Sequence, residues 1–247
     1  KKVTAVIGGG DVVVEDAIFM AGLCATVYMI HRRDRLRAAK SMQEKLFNRL
    51  MDVIEYDVAP LTRKRVAIGC KVFGAAVLRK ADLSPVLAAT NLEAFSPLWH
   101  GEVYAIKQFW ELQGHPDPKD CIFIATHQPC CMCASAIAWS GFPELFYLFG
   151  YENTSKDFHI PHDQKMIREL FHCTSPAEDS RYYTSRPIMG LCDTPEAAAR
   201  FEHLKNLYAE LSAVYQAGEK KMGLSLQPVR RTHKKRLADG FSARRFL

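Results

Sequence analysis

Two short segments limit what this chain can fold into. Residues 98 to 112, LWHGEVYAIKQFWEL, put His100 and Glu102 at the start of an amphipathic helical pattern. Residues 126 to 139, THQPCCMCASAIAW, put Cys130 and Cys133 three apart at the expected start of a helix, with Pro129 just before them. A spacing of three turns both sulfurs to one face of a helix. Two helix starts meet at one edge of a sheet when strands and helices alternate, so the pair of segments points to an α/β fold.

The surrounding pattern supplies that alternation. Residues 71–78 and 86–90 read as a strand pair joined by RKADLSP, followed by a helix over 99–112, a strand over 121–126, a helix over 130–140 and a strand over 144–149. Helices are expected over 163–171 and 195–216, the second opened by Thr194 as N-cap and Pro195 as first helical residue. The expected architecture is a three-layer α/β/α sandwich. Ahead of it, strand 3–8, helix 11–23 and strand 25–30 form a partial Rossmann-like βαβ unit, and a polar helical stretch follows to about residue 50. The character changes at Met51, so the expected division is residues 1–50, 51–217 and a basic tail 218–247.

A chain of 247 residues holds one large or two small domains. With 48% hydrophobic and 24% charged residues it is neither disordered nor fibrous in composition. No run approaches the roughly 20 apolar residues of a membrane span, and VTAVIGGG lacks the h-region of a signal peptide, so no membrane association and a cytoplasmic location are expected. Clustering of Cys130, Cys131 and Cys133 suits metal or redox chemistry better than a disulfide framework. The formal net charge of +6 sits in the tail: Glu219 to Leu247 carries nine Lys and Arg against two acids, and the rest is near neutral. Such a tail is either a solvated feature or a contact for nucleic acid or a membrane surface.

Zinc takes thiolates and neutral imidazole, and a helix N-terminus favours the thiolate. Cys130 and Cys133 with His100 make three protein ligands, the number that leaves a fourth position open for water. Glu102 would not bind the metal; it would move protons between the zinc-activated water and the substrate. Each residue alone says little, but the ordered set H-x-E and P-C-x-x-C matches the zinc-deaminase signature.

From Met51 to about Met166 the chain resembles the cytidine deaminase-like superfamily, in KVFGAAVLRK, AATN, WHGEVYAI and ATHQPCCMCASAIAW. The guanine deaminase and tRNA adenosine deaminase branch is the most similar, through P-C-x-M-C. The resemblance implies zinc on His100, Cys130 and Cys133, Glu102 as the catalytic proton shuttle and Asn91 as a contact to base or ribose. Trp139 falls where guanine deaminases also have tryptophan, and either stacks on the base or packs in the core. Glu152, Asp157 and Asp163 are candidates for reading a purine's donors. Gln128 and Gly101 depart from the branch, which often has glutamate and alanine there.

Residues 1 to about 42 resemble the NADPH-binding segment of thioredoxin reductases. Gly8 and Gly10 would let the backbone approach a pyrophosphate, and Arg32, Arg33 and Arg37 suit a 2′-phosphate. Val13 stands where that pattern needs a small residue, and 50 residues fall far short of a complete cofactor domain. The alternative is a fused fragment.

The expected function is therefore zinc-dependent hydrolytic deamination of a nucleobase or nucleoside of guanine, cytosine or adenine type. The expected cofactor is zinc, the partner a small-molecule substrate, and the superfamily implies a homodimer. The alternatives are an NADPH-binding oxidoreductase through the N-terminal segment, or tRNA editing with RNA held by the basic tail.

Overall fold

The structure, a computed structural model, describes residues 3–7, 19–20, 23–24, 26–30 and 37–222. Strands β1 (Val3–Ile7) and β2 (Thr26–Ile30) pair in parallel, with Val3 opposite Thr26 and Ile7 opposite Ile30. A parallel pair needs a crossover between its strands, which fits the partial Rossmann-like unit.

The main sheet has five strands in the order β4, β3, β5, β6, β7. They are β3 (Gly74–Arg79), β4 (Pro85–Thr90), β5 (Cys121–His127), β6 (Glu144–Phe149) and β7 (Thr184–Pro187). β3 runs antiparallel to β4 and β5, whereas β5, β6 and β7 run parallel. The central strands are apolar on both faces, as expected of strands covered on both sides. Ala76, Leu78, Ile122, Ile124, Phe146 and Leu148 face one core. Their neighbours Ala75, Val77, Phe123, Ala125, Leu145 and Tyr147 face the other, following the strand period of two.

Helices cover both faces. On the first lie α1 (Arg37–Asp52), a π-helical turn (Val53–Val58), α2 (Ala59–Val66) and the long α7 (Pro195–Met222), whose Leu204, Tyr208, Leu211 and Tyr215 enter the core. On the second lie α3 (Gly101–Glu111), through Ala105, Ile106 and Phe109, and α4 (Cys131–Trp139), through Ala134 and Ile137. The result is a three-layer α/β/α sandwich. Two shorter helices, α5 (Tyr151–Lys156) and α6 (His162–Phe171), follow β6. Thr194 caps α7 as expected, its Oγ1 accepting the Ala197 N–H at 3.2 Å.

Several elements differ from the sequence reading. α1 runs through position 51 without a break, and its Phe47, Leu50 and Met51 enter the same core as Val53 and Ile54. Pro60, near the start of α2, has no N–H for the turn before it, and the wider π turn absorbs the change of register. β3 starts at Gly74 rather than at residue 71, because both the backbone N–H and the ammonium of Lys71 are engaged by Glu93. α5 and β7 were not foreseen; at six and four residues they are too short to show a period. α7 extends to Met222, past the expected end at 216, and residues 223–247 of the basic tail lie outside the described residues.

Candidate metal centre and active site

His100 and Cys130 are the residues immediately before their helices. Both are extended, His100 at φ −62° and ψ 158° and Cys130 at φ −66° and ψ 171°, as N-cap positions require. Cys133 follows in the first turn of α4. These starts converge: His100 Nδ1 stands 3.7 Å from each sulfur, and the sulfurs are 3.6 Å apart. Among the described residues this is the one cluster of three or more metal-ligating side chains with its ligand atoms within 4.8 Å of one another. Tetrahedral zinc, with bonds of about 2.3 Å to sulfur and about 2.0 Å to nitrogen, would set the sulfurs about 3.8 Å apart and each about 3.5 Å from the nitrogen. The triangle fits zinc.

The electrostatics of the metal-free triangle follow from contact and burial. Contact with the Cys133 sulfur, aided by His100, outweighs burial and brings Cys130 down to about 4. Burial pushes the Cys133 thiol up, with the Cys130 sulfur and Glu102 adding to it. At His100 burial alone would favour the neutral ring, but the bond and charge of Cys130 win and raise it to about 9.

Glu102, in the first turn of α3, is buried beside this triangle, and its Oε2 accepts from Cys133 Sγ at 3.4 Å. Burial, then the Cys130 charge, raise its carboxyl to about 7, against the opposing pull of His100. A carboxyl held there takes and returns a proton near neutral pH.

Of the three downstream acids only Asp163 is brought to the centre. It is half-buried in the first turn of α6, and burial followed by the Cys130 charge pushes it up to about 6, with His100 and Lys71 opposing. Glu152 pairs with Lys156 on the surface, and Asp157 accepts from Asn153 Nδ2 in an exposed contact. Asn91 is fully buried, its Oδ1 accepting the Gly101 N–H and its Nδ2 donating to Glu93. Trp139 ends α4, two turns beyond the ligands, and is 91% exposed, so it does not pack in the core.

Three residues of the surroundings were not anticipated. Lys71 and Glu93 form a largely buried ion pair near His100. Tyr151 donates its hydroxyl to Pro129 O at 2.5 Å and pins the turn that carries Cys130. Nothing in their spacing marks them, since the partners are 22 residues apart in each case. Gln128 accepts the Tyr151 N–H on its Oε1 at 3.4 Å. Of the cofactor candidates, Gly8, Gly10, Arg32 and Arg33 lie outside the described residues. Arg37 opens α1, and its side chain is likewise outside them.

Residues 3–57 match the pyridine nucleotide-disulphide oxidoreductase family. A thioredoxin reductase of Peptoclostridium acidaminophilum is 57% identical over 42 residues, 17% of this chain and 13% of that protein. The mitochondrial thioredoxin reductase 1 of Arabidopsis thaliana is 52% identical over 54 residues, 22% of this chain and 14% of that protein. The chain thus spans only a small part of the length of these curated relatives. Among solved structures, a guanine deaminase from Nitrosomonas europaea superposes with a TM-score of 0.45 at 18% identity, covering 68% of this chain and 84% of that one. A guanine deaminase from Bacillus subtilis gives 0.41 at 22% identity, covering 66% and 93%. Residues 56–149, which hold every ligand of the triangle and Glu102, match the cytidine and deoxycytidylate deaminase zinc-binding region.

Proposed function

We propose that the chain is a zinc-dependent hydrolytic deaminase of a nucleobase or nucleoside, releasing ammonia. The observation that carries this reading is the triangle of His100, Cys130 and Cys133 with the buried Glu102 carboxyl beside it. His100, Cys130 and Cys133 would hold zinc, which would supply the Lewis acidity that makes a water-derived nucleophile available at neutral pH.

Glu102 is the proton carrier of this reading. Buried beside the triangle, it would take a proton from the nucleophile and pass protons to the ring nitrogen and the departing amine. Asp163 is the group proposed to accept a hydrogen bond from a donor on the substrate ring. Asn91 has its oxygen and one amide hydrogen occupied, so a contact to base or ribose falls to its second amide hydrogen. The catalytic unit is proposed to begin within α1, since Phe47 and Leu50 belong to its core.

The test is ammonia release from guanine, adenine, cytosine, their nucleosides and a tRNA. Zinc-loaded protein should turn over at least one of them, and Glu102→Gln should keep its zinc while losing about 10²- to 10⁴-fold in rate. Undiminished turnover by Glu102→Gln would remove the role given to Glu102.

A second reading concerns residues 1–50 alone. The match over residues 3–57 and the parallel β1–β2 pair favour NADPH binding through Gly8, Gly10, Arg32, Arg33 and Arg37. A titration with NADPH, followed by fluorescence, tests it; no saturable change would leave the segment as a fused fragment.

A further inference from the structure

Lys71 and Glu93 are largely buried opposite charges, with side chains 11% and 14% exposed. Burying such a pair costs desolvation that an apolar pair of the same shape would not, so its position needs a reason beyond stability. Glu93 is held from three sides. Lys71 Nζ donates to its Oε1, Lys71 N–H to its Oε2 at 3.0 Å and Asn91 Nδ2 to the same Oε2 at 2.9 Å.

The carboxylate thus fixed faces His100. The two ring nitrogens of His100 point to different partners: Nδ1 to the two sulfurs, and Nε2 to Glu93 Oε1 at 3.9 Å. Asn91, bound to Glu93 by its nitrogen, accepts with its oxygen the N–H of Gly101, the residue next to His100. One carboxylate therefore addresses His100 from the ring side and, through Asn91, from the main-chain side. A ligating imidazole commonly donates its second N–H to a carboxylate, which sets its tautomer and ring angle.

We propose that Glu93 is a positioning residue: its carboxylate, 3.9 Å from Nε2 of His100, closes on the Nε2–H when Nδ1 takes the metal and so sets the ring angle, with Lys71 as its counter-charge. The proposal rests on the zinc reading above but not on the identity of the substrate.

Single removal of either charge would strand the other, so the test uses paired variants. Lys71→Met/Glu93→Leu removes both charges and the acceptor, whereas Lys71→Met/Glu93→Gln removes both charges and keeps an oxygen for Nε2–H. Zinc affinity is read by competition with a chromophoric chelator, cobalt ligation by its d–d spectrum, and the metal-free melting temperature serves as the control for a purely structural role. The leucine pair should bind zinc about 10- to 100-fold more weakly and alter the cobalt spectrum. The glutamine pair should recover most of the affinity at a similar metal-free melting temperature. If the leucine pair does not fold, Glu93→Asp keeps the charge for Lys71 and withdraws the oxygens by one methylene, and a loss of about 10-fold is expected. Zinc binding within twofold of wild type in the leucine pair or in Glu93→Asp would overturn the proposal, as would equal losses in both pairs. Absence of zinc binding by the wild-type protein would overturn the zinc reading itself. Zinc binding without ammonia release from any substrate would overturn the deaminase reading and leave the role of Glu93 to be decided by the zinc affinities alone.

Discussion

Gly101 packs backbone to backbone on Gly74: a β-carbon at Gly101 would stand 2.8 Å from Gly74 Cα and 2.9 Å from Phe73 O. The contact seats the start of α3 on the start of β3 and so sets where His100 and Glu102 lie. Main-chain atoms cannot swing aside as a side chain can. Gly101→Ala should cost about 1–3 kcal/mol of stability and lower zinc content, measured by urea unfolding and metal analysis. A variant with unchanged midpoint and full zinc would contradict this close packing.

Zinc uptake should expel protons. At pH 7 His100, raised to about 9, and Cys133, raised by burial, both carry one, whereas Cys130, lowered to about 4, does not. Zinc needs a neutral imidazole and two thiolates, so about two protons leave per ion bound. Calorimetry of zinc binding in buffers of different ionisation heat should give a slope of about two; a slope near zero would show that these protons are absent.

A chain begun at Met51 should be much less stable than one begun at residue 37. The shorter chain lacks Phe47 and Leu50, which are 2% and 0% exposed in the core. Each such side chain contributes about 1.5–3 kcal/mol of burial. Equal unfolding midpoints would mean that α1 is dispensable.

His127 makes the fold sensitive to acid. Its ring is buried among Phe73, Phe149, Phe158 and Tyr208, and burial lowers it to about 3. The folded value lies below the unfolded one of about 6.5, so protons favour the unfolded chain between the two. The stability of the neutral ring is fully present above about pH 6.5 and drains toward pH 3, by up to about 1.4 kcal/mol per pH unit. His127→Phe should flatten that slope, and an unchanged slope would assign the acid loss elsewhere.

The convergence of His100, Cys130 and Cys133 was legible because the chemistry demands particular residues in a particular order, and because α3 shows a helical period, whereas β5 and α4 are apolar throughout and read only from their length and flanking residues. Gly101 read as a departure from the branch and proved to be a packing requirement, visible only once β3 lay beneath it. Lys71 and Glu93 were hidden because isolated charges read as solvated surface, and no local pattern joins residues 22 positions apart. Asp163 could not be separated from Glu152 and Asp157 until α6 turned it inward. The apparent break at Met51 came from polar residues on the outer face of α1, while Phe47, Leu50, Met51 and Ile54 continued the inner one.

The central claim is deamination that depends on zinc at His100, Cys130 and Cys133. The most direct measurement is ammonia release from guanine, adenine, cytosine and their nucleosides by protein stripped of metal and then reloaded with zinc. Release that vanishes on stripping and returns at about one zinc per chain is the predicted result. Release that survives stripping, or silence on every substrate at full zinc loading, would contradict it.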